Sequence, residues 1–166
     1  MRKNTKNITY GSVIAALYVI LTYLQNFLFP NSASAAIQFR ASEALCVLAF
    51  FTPVAIPGLS VGCFLFNISN AAALPLDFLV GTAATALSAT GMYLTRKITV
   101  KGFPLLGLLM PAVCNGILVG WELAFHIGGG FWLNAICVAI GEIGVLFTLG
   151  TVLYYLLKTH NKQLQL

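Results

Sequence analysis

The chain has 166 residues, of which 59% are hydrophobic and only 8% are charged, and its formal net charge is +5. Soluble domains carry about 25% charged residues, so this composition excludes an ordinary soluble domain and predicts a membrane protein. A helix needs about 20 apolar residues to cross a hydrocarbon core about 30 Å thick. The length therefore accommodates about six crossings and no separate soluble domain.

Hydropathy, together with the positions of proline and glycine, divides the chain into six apolar segments. We therefore predict an all-α integral membrane protein that forms a single domain of six transmembrane helices. The predicted spans cover residues 8–29, 37–51, 56–74, 76–95, 103–125 and 131–157. The first apolar run, of about 22 residues, exceeds the 7 to 15 of a signal peptide and predicts a retained helix. The second span is the shortest, so we expect it to be tilted or partly submerged and shielded by its neighbours.

The basic residues predict the orientation of these helices. Eight of the nine lysines and arginines lie outside the apolar segments: Arg2, Lys3, Lys6, Arg96, Lys97, Lys101, Lys158 and Lys162. With six crossings they all fall on one side, which the positive-inside rule assigns to the cytoplasm together with both termini. The net positive charge is thus explained by membrane topology, and no nucleic-acid partner is predicted.

All four acidic residues lie within apolar segments or at their rims: Glu43, Asp77, Glu122 and Glu142. A carboxylate near the bilayer centre costs about 2.5 to 3.5 kcal/mol, so such residues usually face the protein interior and mark a substrate or ion site. Glu142 lies about 11 residues into the last span, or roughly 16 Å deep. Arg40 is the exception among the basic residues, and it lies one helical turn before Glu43, so the two can pair or reach one ligand.

Asparagines accompany the acidic residues in the predicted outer halves of the spans. Together with the acids, four amides predict a polar funnel open to the outside: Asn67, Asn70, Asn115 and Asn134. Each amide alone could instead bond a neighbouring helix. Asp77 has two open interpretations, a helix cap or a site residue. Aromatic side chains at the same level form either an interfacial belt or flat walls around a planar ligand. These residues are Phe39, Trp121, Phe125, Phe131 and Trp132.

The chemistry of this set favours a cationic ligand that is rich in hydrogen-bond donors. A guanine-like edge fits, because its ring N–H and exocyclic amine can donate a paired hydrogen bond to one carboxylate. The sequence contains no nucleotide-binding loop and no catalytic motif, and the cysteines have no metal-site spacing. We therefore predict neither an enzyme nor a cofactor. A binding subunit powered by partner proteins, a stand-alone proton- or cation-coupled carrier with Glu142 as the titrating group, and a structural membrane subunit remain as alternatives.

The first span carries two pairs of small residues at a spacing of four, Gly11 with Ala15 and Ser12 with Ala16. Such pairs allow two helices to approach closely in a membrane. They predict either a docking surface for a partner protein or close packing within the bundle.

Four stretches of the chain resemble the QueT family, the substrate-binding S components of energy-coupling factor (ECF) transporters. They are IQFRASEALCVLAFFTPVAIPGLSVGCFLFN, LPLDFLVGTAAT, MPAVCNGILVGWEL and AIGEIGVLFTLG. The resemblance implies a multi-pass protein of the bacterial cytoplasmic membrane. It would capture a queuosine precursor, 7-aminomethyl-7-deazaguanine (preQ1) or queuine, from outside the cell.

The resemblance also implies partners, a transmembrane coupling (T) component and two cytoplasmic ATPases. The small-residue face of the first helix would be the docking surface. The expected ligand contacts are Arg40, Glu43, Asn67, Asp77, Asn115, Glu122 and Glu142.

Overall fold

The structure, a computed structural model, describes residues 2–30, 39–70 and 73–160, and these residues are predominantly helical. The elements are α1 (Arg2–Leu28), a 3₁₀ helix (Ala41–Phe50), α2 (Ala55–Ser69), α3 (Asp77–Thr95), α4 (Leu105–His126), α5 (Phe131–Val145), a π-helical turn (Leu146–Gly150) and α6 (Thr151–His160). The last three form one continuous helix from residue 131 to residue 160.

Four of these helices are long and apolar enough to cross a membrane: Asn4–Leu28, Asp77–Thr95, Leu105–His126 and Phe131–His160. The prediction of an all-helical membrane protein is therefore confirmed. The 3₁₀ helix and α2 are apolar but shorter, with 10 and 15 residues. The count of six crossings and the cytoplasmic position of both termini stay predictions.

The second and third predicted spans differ from the observed helices. Residues 37 and 38 of the second span lie outside the described residues, and the part that follows forms the 3₁₀ helix only from Ala41. The third span was predicted to continue to residue 74, whereas α2 ends at Ser69 because Asn70 adopts an extended conformation. Pro75 also disfavours helical geometry at Leu74, the residue before it.

The 3₁₀ helix is the central element of the bundle. It contacts every helix of the described chain, and eight of its ten residues are buried. At a rise of about 2.0 Å per residue it is only about 20 Å long, too short to cross a bilayer alone. The expectation that this segment is shielded by its neighbours is confirmed, and the shielding places Arg40 and Glu43 inside the protein.

Consecutive helices from α1 to α5 pack side by side around this element, and glycines bring several of them close together. A Cβ atom added at Gly62 would lie 2.9 Å from the carbonyl oxygen of Ala15, and one at Gly120 would lie 2.7 Å from Cα of Ala135. Glycine is thus required at both contacts, because any side chain there would meet backbone atoms of the next helix.

Candidate functional site

The interior of the bundle contains a cluster of polar side chains, which we call the polar cluster. Its members are no more than 3% exposed, and they are the seven residues predicted from the sequence: Arg40, Glu43, Asn67, Asp77, Asn115, Glu122 and Glu142. They come from five different helical elements or their ends. Buried polar groups are costly unless they are hydrogen-bonded or paired with opposite charge, so the partners of each group indicate its role.

Arg40 lies at the centre of the polar cluster. Its guanidinium group interacts electrostatically with Asp77 and Glu43, and Glu122 and Glu142 interact with it as well. All four carboxyl groups of the chain therefore lie around one positive charge. The two alternatives for Arg40, pairing with Glu43 or reaching a ligand, are both compatible with this central position.

Glu43 is held by donors of the protein itself. Its Oε1 accepts hydrogen bonds from the hydroxyl groups of Tyr18 at 2.5 Å and Thr85 at 3.1 Å. Its Oε2 lies 3.2 Å from the thiol of Cys46. Three donors from three elements thus fix this carboxyl group, and little of its hydrogen-bonding capacity is left for a ligand.

Glu122 has the opposite environment. Both of its carboxyl oxygens are buried, and neither has a hydrogen bond of good geometry among the described residues, although the carboxyl group of Asp77 and the backbone N–H of Leu76 lie close to them. The nearest charged neighbours include Asp77, which carries the same sign, and Arg40. A buried carboxyl group with two unused oxygens can accept a paired hydrogen bond from a ligand.

Glu142 and Asp77 each have one carboxyl oxygen that accepts a hydrogen bond from the protein and one that does not. Oε1 of Glu142 accepts a hydrogen bond from Nδ2 of Asn115 at 3.1 Å, and Oδ2 of Asp77 accepts one from the backbone N–H of Leu74 at 3.0 Å. The second oxygen of each carboxyl group is buried without a partner in the described part of the chain. Asp77 thus stabilises the turn before α3 and does not cap the helix, because its bond goes to Leu74 and no side chain caps α3. Its other oxygen is buried in the polar cluster, and a role in ligand binding stays a prediction.

Asn67 connects α2 to α3 at the edge of the polar cluster. Its Nδ2 donates to the backbone carbonyl of Asp77 at 2.8 Å. A Cβ atom at Gly81 would lie 2.7 Å from this nitrogen and 3.6 Å from Nη1 of Arg40. Glycine at this position of α3 therefore makes room for both side chains.

Two further expectations from the sequence are corrected. Asn134 does not belong to the polar cluster, because its amide donates to the carbonyl of Gly128 at 3.0 Å and closes the glycine turn. The polar cluster is also not an open funnel, since its members are almost completely buried. A spacing pattern shows which residues share a helix face, but the closure of a cavity depends on the packing of several helices.

The aromatic residues lie on the surface rather than around the polar cluster. The exposed fractions are 43% for Phe39, 51% for Trp121, 71% for Phe125 and 75% for Trp132. Trp121 and Phe125 stack on each other with ring centroids 6.0 Å apart. Phe131 is half-buried. The exposure of the other four favours the prediction of an aromatic belt at a membrane interface over that of walls around a ligand.

The two small-residue pairs of α1 have different environments. Ala15 is buried, and added Cβ atoms at Gly58 and Gly62 of α2 would meet Gly11 and Ala15 respectively at less than 3.0 Å. Ser12 and Ala16, in contrast, are exposed. Next to them an apolar groove of about 550 Å³ lies between α1 and the turn before α2. Its lining includes Ile8, Gly11, Ser12, Pro53, Pro57 and Val61.

The neutral side chains that bind Glu43 were not among the residues predicted from the sequence. Tyr18 and Thr85 are completely buried and both bind Glu43. One signal was present, because Tyr18, Thr22 and Gln25 place polar groups on a single face of an otherwise apolar helix. Thr85 gave no such signal, since a lone threonine in a membrane helix commonly bonds its own backbone.

These features define the chain as a helical membrane protein with a charged site buried inside the bundle. Comparison with known protein families then identifies it more closely. The model of the QueT transporter family matches residues 8–159, and the chain belongs to this family. No curated protein and no solved structure matches the chain.

Proposed function

We propose that this protein is the substrate-binding S component of an ECF-type importer. In this proposal it captures a queuosine precursor, a 7-deazaguanine such as preQ1 or queuine, from outside a bacterial cell. It delivers the ligand to the cytoplasm together with a coupling component and two ATPases, and it catalyses no reaction itself. Membership in the QueT transporter family supports the role in transport.

The observation that carries the proposed ligand is the set of buried carboxyl oxygens without protein donors. They are Oδ1 of Asp77, both oxygens of Glu122 and Oε2 of Glu142. Four acidic side chains surround a single guanidinium, so the polar cluster has an excess of acceptors and an excess of acidic over basic groups. A cationic ligand with several N–H groups would supply the missing donors and would also balance the acidic groups. An anionic ligand would instead add to the acidic groups.

The partners of each carboxyl group suggest how such a ligand binds. Glu122 has both oxygens available and therefore accepts the paired donors of the guanine-like edge. Glu142 and Asp77 each contribute one oxygen, to further N–H groups or to the aminomethyl cation. Asn67 and Asn115 complete the set, the former with a buried Oδ1 that has no partner among the described residues. Glu43 was expected to be a ligand contact, but its three protein donors favour a supporting role.

The proposed docking of the coupling component uses the exposed pair Ser12 and Ala16 and the groove beside it. A transmembrane helix of the coupling component is the proposed occupant, because small residues allow close approach of helices within lipid. The groove lies in the N-terminal half of α1, and the positive-inside rule places this half toward the cytoplasm, where the ATPases would act. Gly11 and Ala15 contribute by letting α2 form the other wall of the groove.

Calorimetric titration of the detergent-solubilised protein tests the proposed ligand. The probes are preQ1 and its analogue 7-methyl-7-deazaguanine, which has the same ring edge but no ammonium group. We expect saturable binding of both, with preQ1 bound at least tenfold more tightly, since a hydrogen bond to a charged group contributes about 1.5 to 3 kcal/mol. The absence of saturable binding of either compound would contradict the proposal.

The alternative of a stand-alone carrier is supported by the unused oxygen of buried Glu142, a group suited to carry a proton. Uptake into proteoliposomes separates the two functions. Accumulation of preQ1 driven by a pH gradient, with this chain alone, would establish the carrier. Accumulation only after reconstitution with the coupling component, the ATPases and ATP would establish the S component.

A further inference from the structure

One face of α1 is polar where it packs against the start of the 3₁₀ helix. Tyr18, Thr22 and Gln25 are spaced by four and three residues and therefore lie on the same side of the helix. Their exposed fractions are 0%, 0% and 8%. Polar groups buried in a membrane helix require partners, and all three find them in the segment from Phe39 to Glu43.

Gln25 binds the backbone on both sides of Arg40. Its side-chain amide donates to the carbonyl oxygen of Phe39, and its Oε1 accepts a hydrogen bond from the backbone N–H of Ala41 at 2.6 Å. Arg40 itself has an extended backbone, with φ −103° and ψ 98°, and no side chain caps the helix that follows it. One glutamine of α1 thus acts as an external clamp on the residue at the centre of the polar cluster.

Tyr18 and Thr22 bind the next two polar side chains. The hydroxyl of Thr22 lies 2.7 Å from the hydroxyl of Ser42, and the hydroxyl of Tyr18 donates to Glu43 at 2.5 Å. A 3₁₀ helix has weaker internal hydrogen bonds than an α-helix and rarely exceeds three or four residues. The ten residues of this one therefore need support from outside, and α1 supplies it at the end that carries Arg40 and Glu43.

The same face of α1 continues toward its N-terminus as Ala15 and Gly11, again at spacings of three and four. These residues pack against Gly62 and Gly58 of α2. A single face of one helix therefore connects the groove to the polar cluster, without a flexible segment between them.

We infer that Tyr18, Thr22 and Gln25 are positioning residues of the ligand site, which hold Arg40 and Glu43 in the geometry that binds the ligand. None of the three is required to touch the ligand. This inference rests on the proposed function, since it concerns the same site. The helix α1, which is proposed to dock the coupling component, would thereby also determine the affinity for the ligand.

Two tyrosines of α1 provide a matched test. Tyr18→Phe removes the hydroxyl that binds Glu43, and Tyr23→Phe removes a hydroxyl that bonds Ser69 at 2.7 Å on the exposed side. The dissociation constant of preQ1 is measured by calorimetry for the full chain and both variants. We expect Tyr18→Phe to raise it about tenfold, equivalent to about 1.4 kcal/mol, and Tyr23→Phe to leave it within about twofold.

Melting temperatures separate positioning from a merely structural role. A structural role would lower the melting temperature of Tyr18→Phe by the same amount with and without saturating preQ1, and leave the dissociation constant unchanged. That result would overturn the inference. Failure of the unsubstituted protein to bind preQ1 would instead contradict the proposed function, so the two failures are distinguishable.

A second pair of variants decides the question if Tyr18→Phe does not fold. Thr22→Val keeps the shape of the side chain but removes the hydroxyl that meets Ser42, and Thr22→Ser keeps the hydroxyl. We expect weaker binding of preQ1 by Thr22→Val and nearly normal binding by Thr22→Ser. Equal affinities of these two variants would overturn the inference.

Discussion

Glu43 and Glu122 are both fully buried, yet their carboxyl groups have different surroundings. Glu43 accepts from hydroxyl groups and a thiol of the protein, whereas Glu122 has two oxygens without donors in the described part of the chain. A satisfied buried carboxyl group stabilises the fold, and an unsatisfied one is retained at a cost in stability. At the scale of the residue, this difference separates groups that support the site from groups available to bind a ligand.

Substitutions by glutamine test this division. Glu122→Gln and Glu142→Gln each replace a carboxyl group by an amide of the same shape and remove an acceptor oxygen, so we expect each to weaken preQ1 binding by more than tenfold. The melting temperature of the ligand-free protein should stay the same or rise for Glu122→Gln, because a buried carboxyl group that lies beside the carboxyl group of Asp77 is removed. Asn134→Ala is the control, since Asn134 lies on α5 like Glu142 but outside the polar cluster. An unchanged affinity in both glutamine variants would remove these residues from the site.

Glu43→Gln should have the opposite profile. The amide nitrogen that replaces one oxygen can no longer accept from the hydroxyl or thiol that it meets. We expect the ligand-free protein to lose about 1 to 3 kcal/mol of stability, measured as a lower melting temperature or a lower midpoint of chemical unfolding. A Glu43→Gln protein that is as stable as the unsubstituted chain would contradict the supporting role.

At the scale of the element, the contact between α1 and α2 depends on the absence of side chains. A Cβ atom at Gly62 would lie 2.7 Å from Cβ of Tyr18 and 2.9 Å from a backbone oxygen of α1. Neither neighbour is a flexible chain end, so the two helices must separate to accept even a methyl group. Because Tyr18 also binds Glu43, such a separation would reach the polar cluster.

Gly62→Ala is therefore expected to destabilise the bundle by about 1 to 3 kcal/mol, as overpacking of a buried contact usually does. Gly130→Ala serves as the control, since an added Cβ there meets no atom within 4 Å. Thermal unfolding of both purified variants in the same detergent provides the measurement. Equal melting temperatures of the two variants would show that α1 and α2 do not pack as closely as described.

The exposed pair on α1 allows docking to be separated from folding. Ser12 and Ala16 are exposed, so leucine at both positions should leave the melting temperature and preQ1 affinity unchanged. The bulkier side chains should prevent close approach of another helix, and we expect loss of co-purification with the coupling component and loss of ATP-driven uptake. Ala83→Leu, a similar change on the exposed side of α3, should retain both. Normal complex formation by the double leucine variant would exclude this surface as the docking site.

At the scale of the whole molecule, the distribution of charge has two different physical origins. The basic clusters lie in the connections and near the termini, where the positive-inside rule predicts that they orient the chain in a membrane. The acidic residues lie inside, where water is excluded and each charge interacts strongly with its neighbours. Arg40, the one basic residue of the polar cluster, is the exception to this separation of charge.

Reporter fusions test the predicted topology. A fluorescent protein at the C-terminus should mature, and alkaline phosphatase at the same place should be inactive, because the predicted location is the cytoplasm. Alkaline phosphatase inserted at Gly129 should be active, since the glycine turn is predicted to face the outside. Gly129 has a positive φ of 79° and lies in an exposed turn, so it tolerates an insertion. An active phosphatase at the C-terminus would contradict the predicted cytoplasmic location of this terminus.

The sequence by itself determined the membrane class, the positions of most helices and the residues of the polar cluster. These features depend on local composition and not on the tertiary fold. An apolar stretch of about 20 residues predicts a membrane helix, and a charged residue within it predicts a buried polar site, whichever way the helices pack. The shortness of the second span was also readable, since its flanking Pro53 and polar loop limit its length.

The tertiary structure alone decided which carboxyl groups are satisfied. In the sequence, Glu43 and Glu122 are both single glutamates within apolar segments. They differ in hydrogen bonding because Tyr18 and Thr85, which lie 25 and 42 residues from Glu43 on other helices, donate to Glu43. It also decided that the second apolar segment forms a 3₁₀ helix in contact with every other helix, and that Gly11 and Ala15 pack inward while Ser12 and Ala16 face outward. These outcomes depend on how several helices pack together, and periodicity along one helix carries no information about its neighbours.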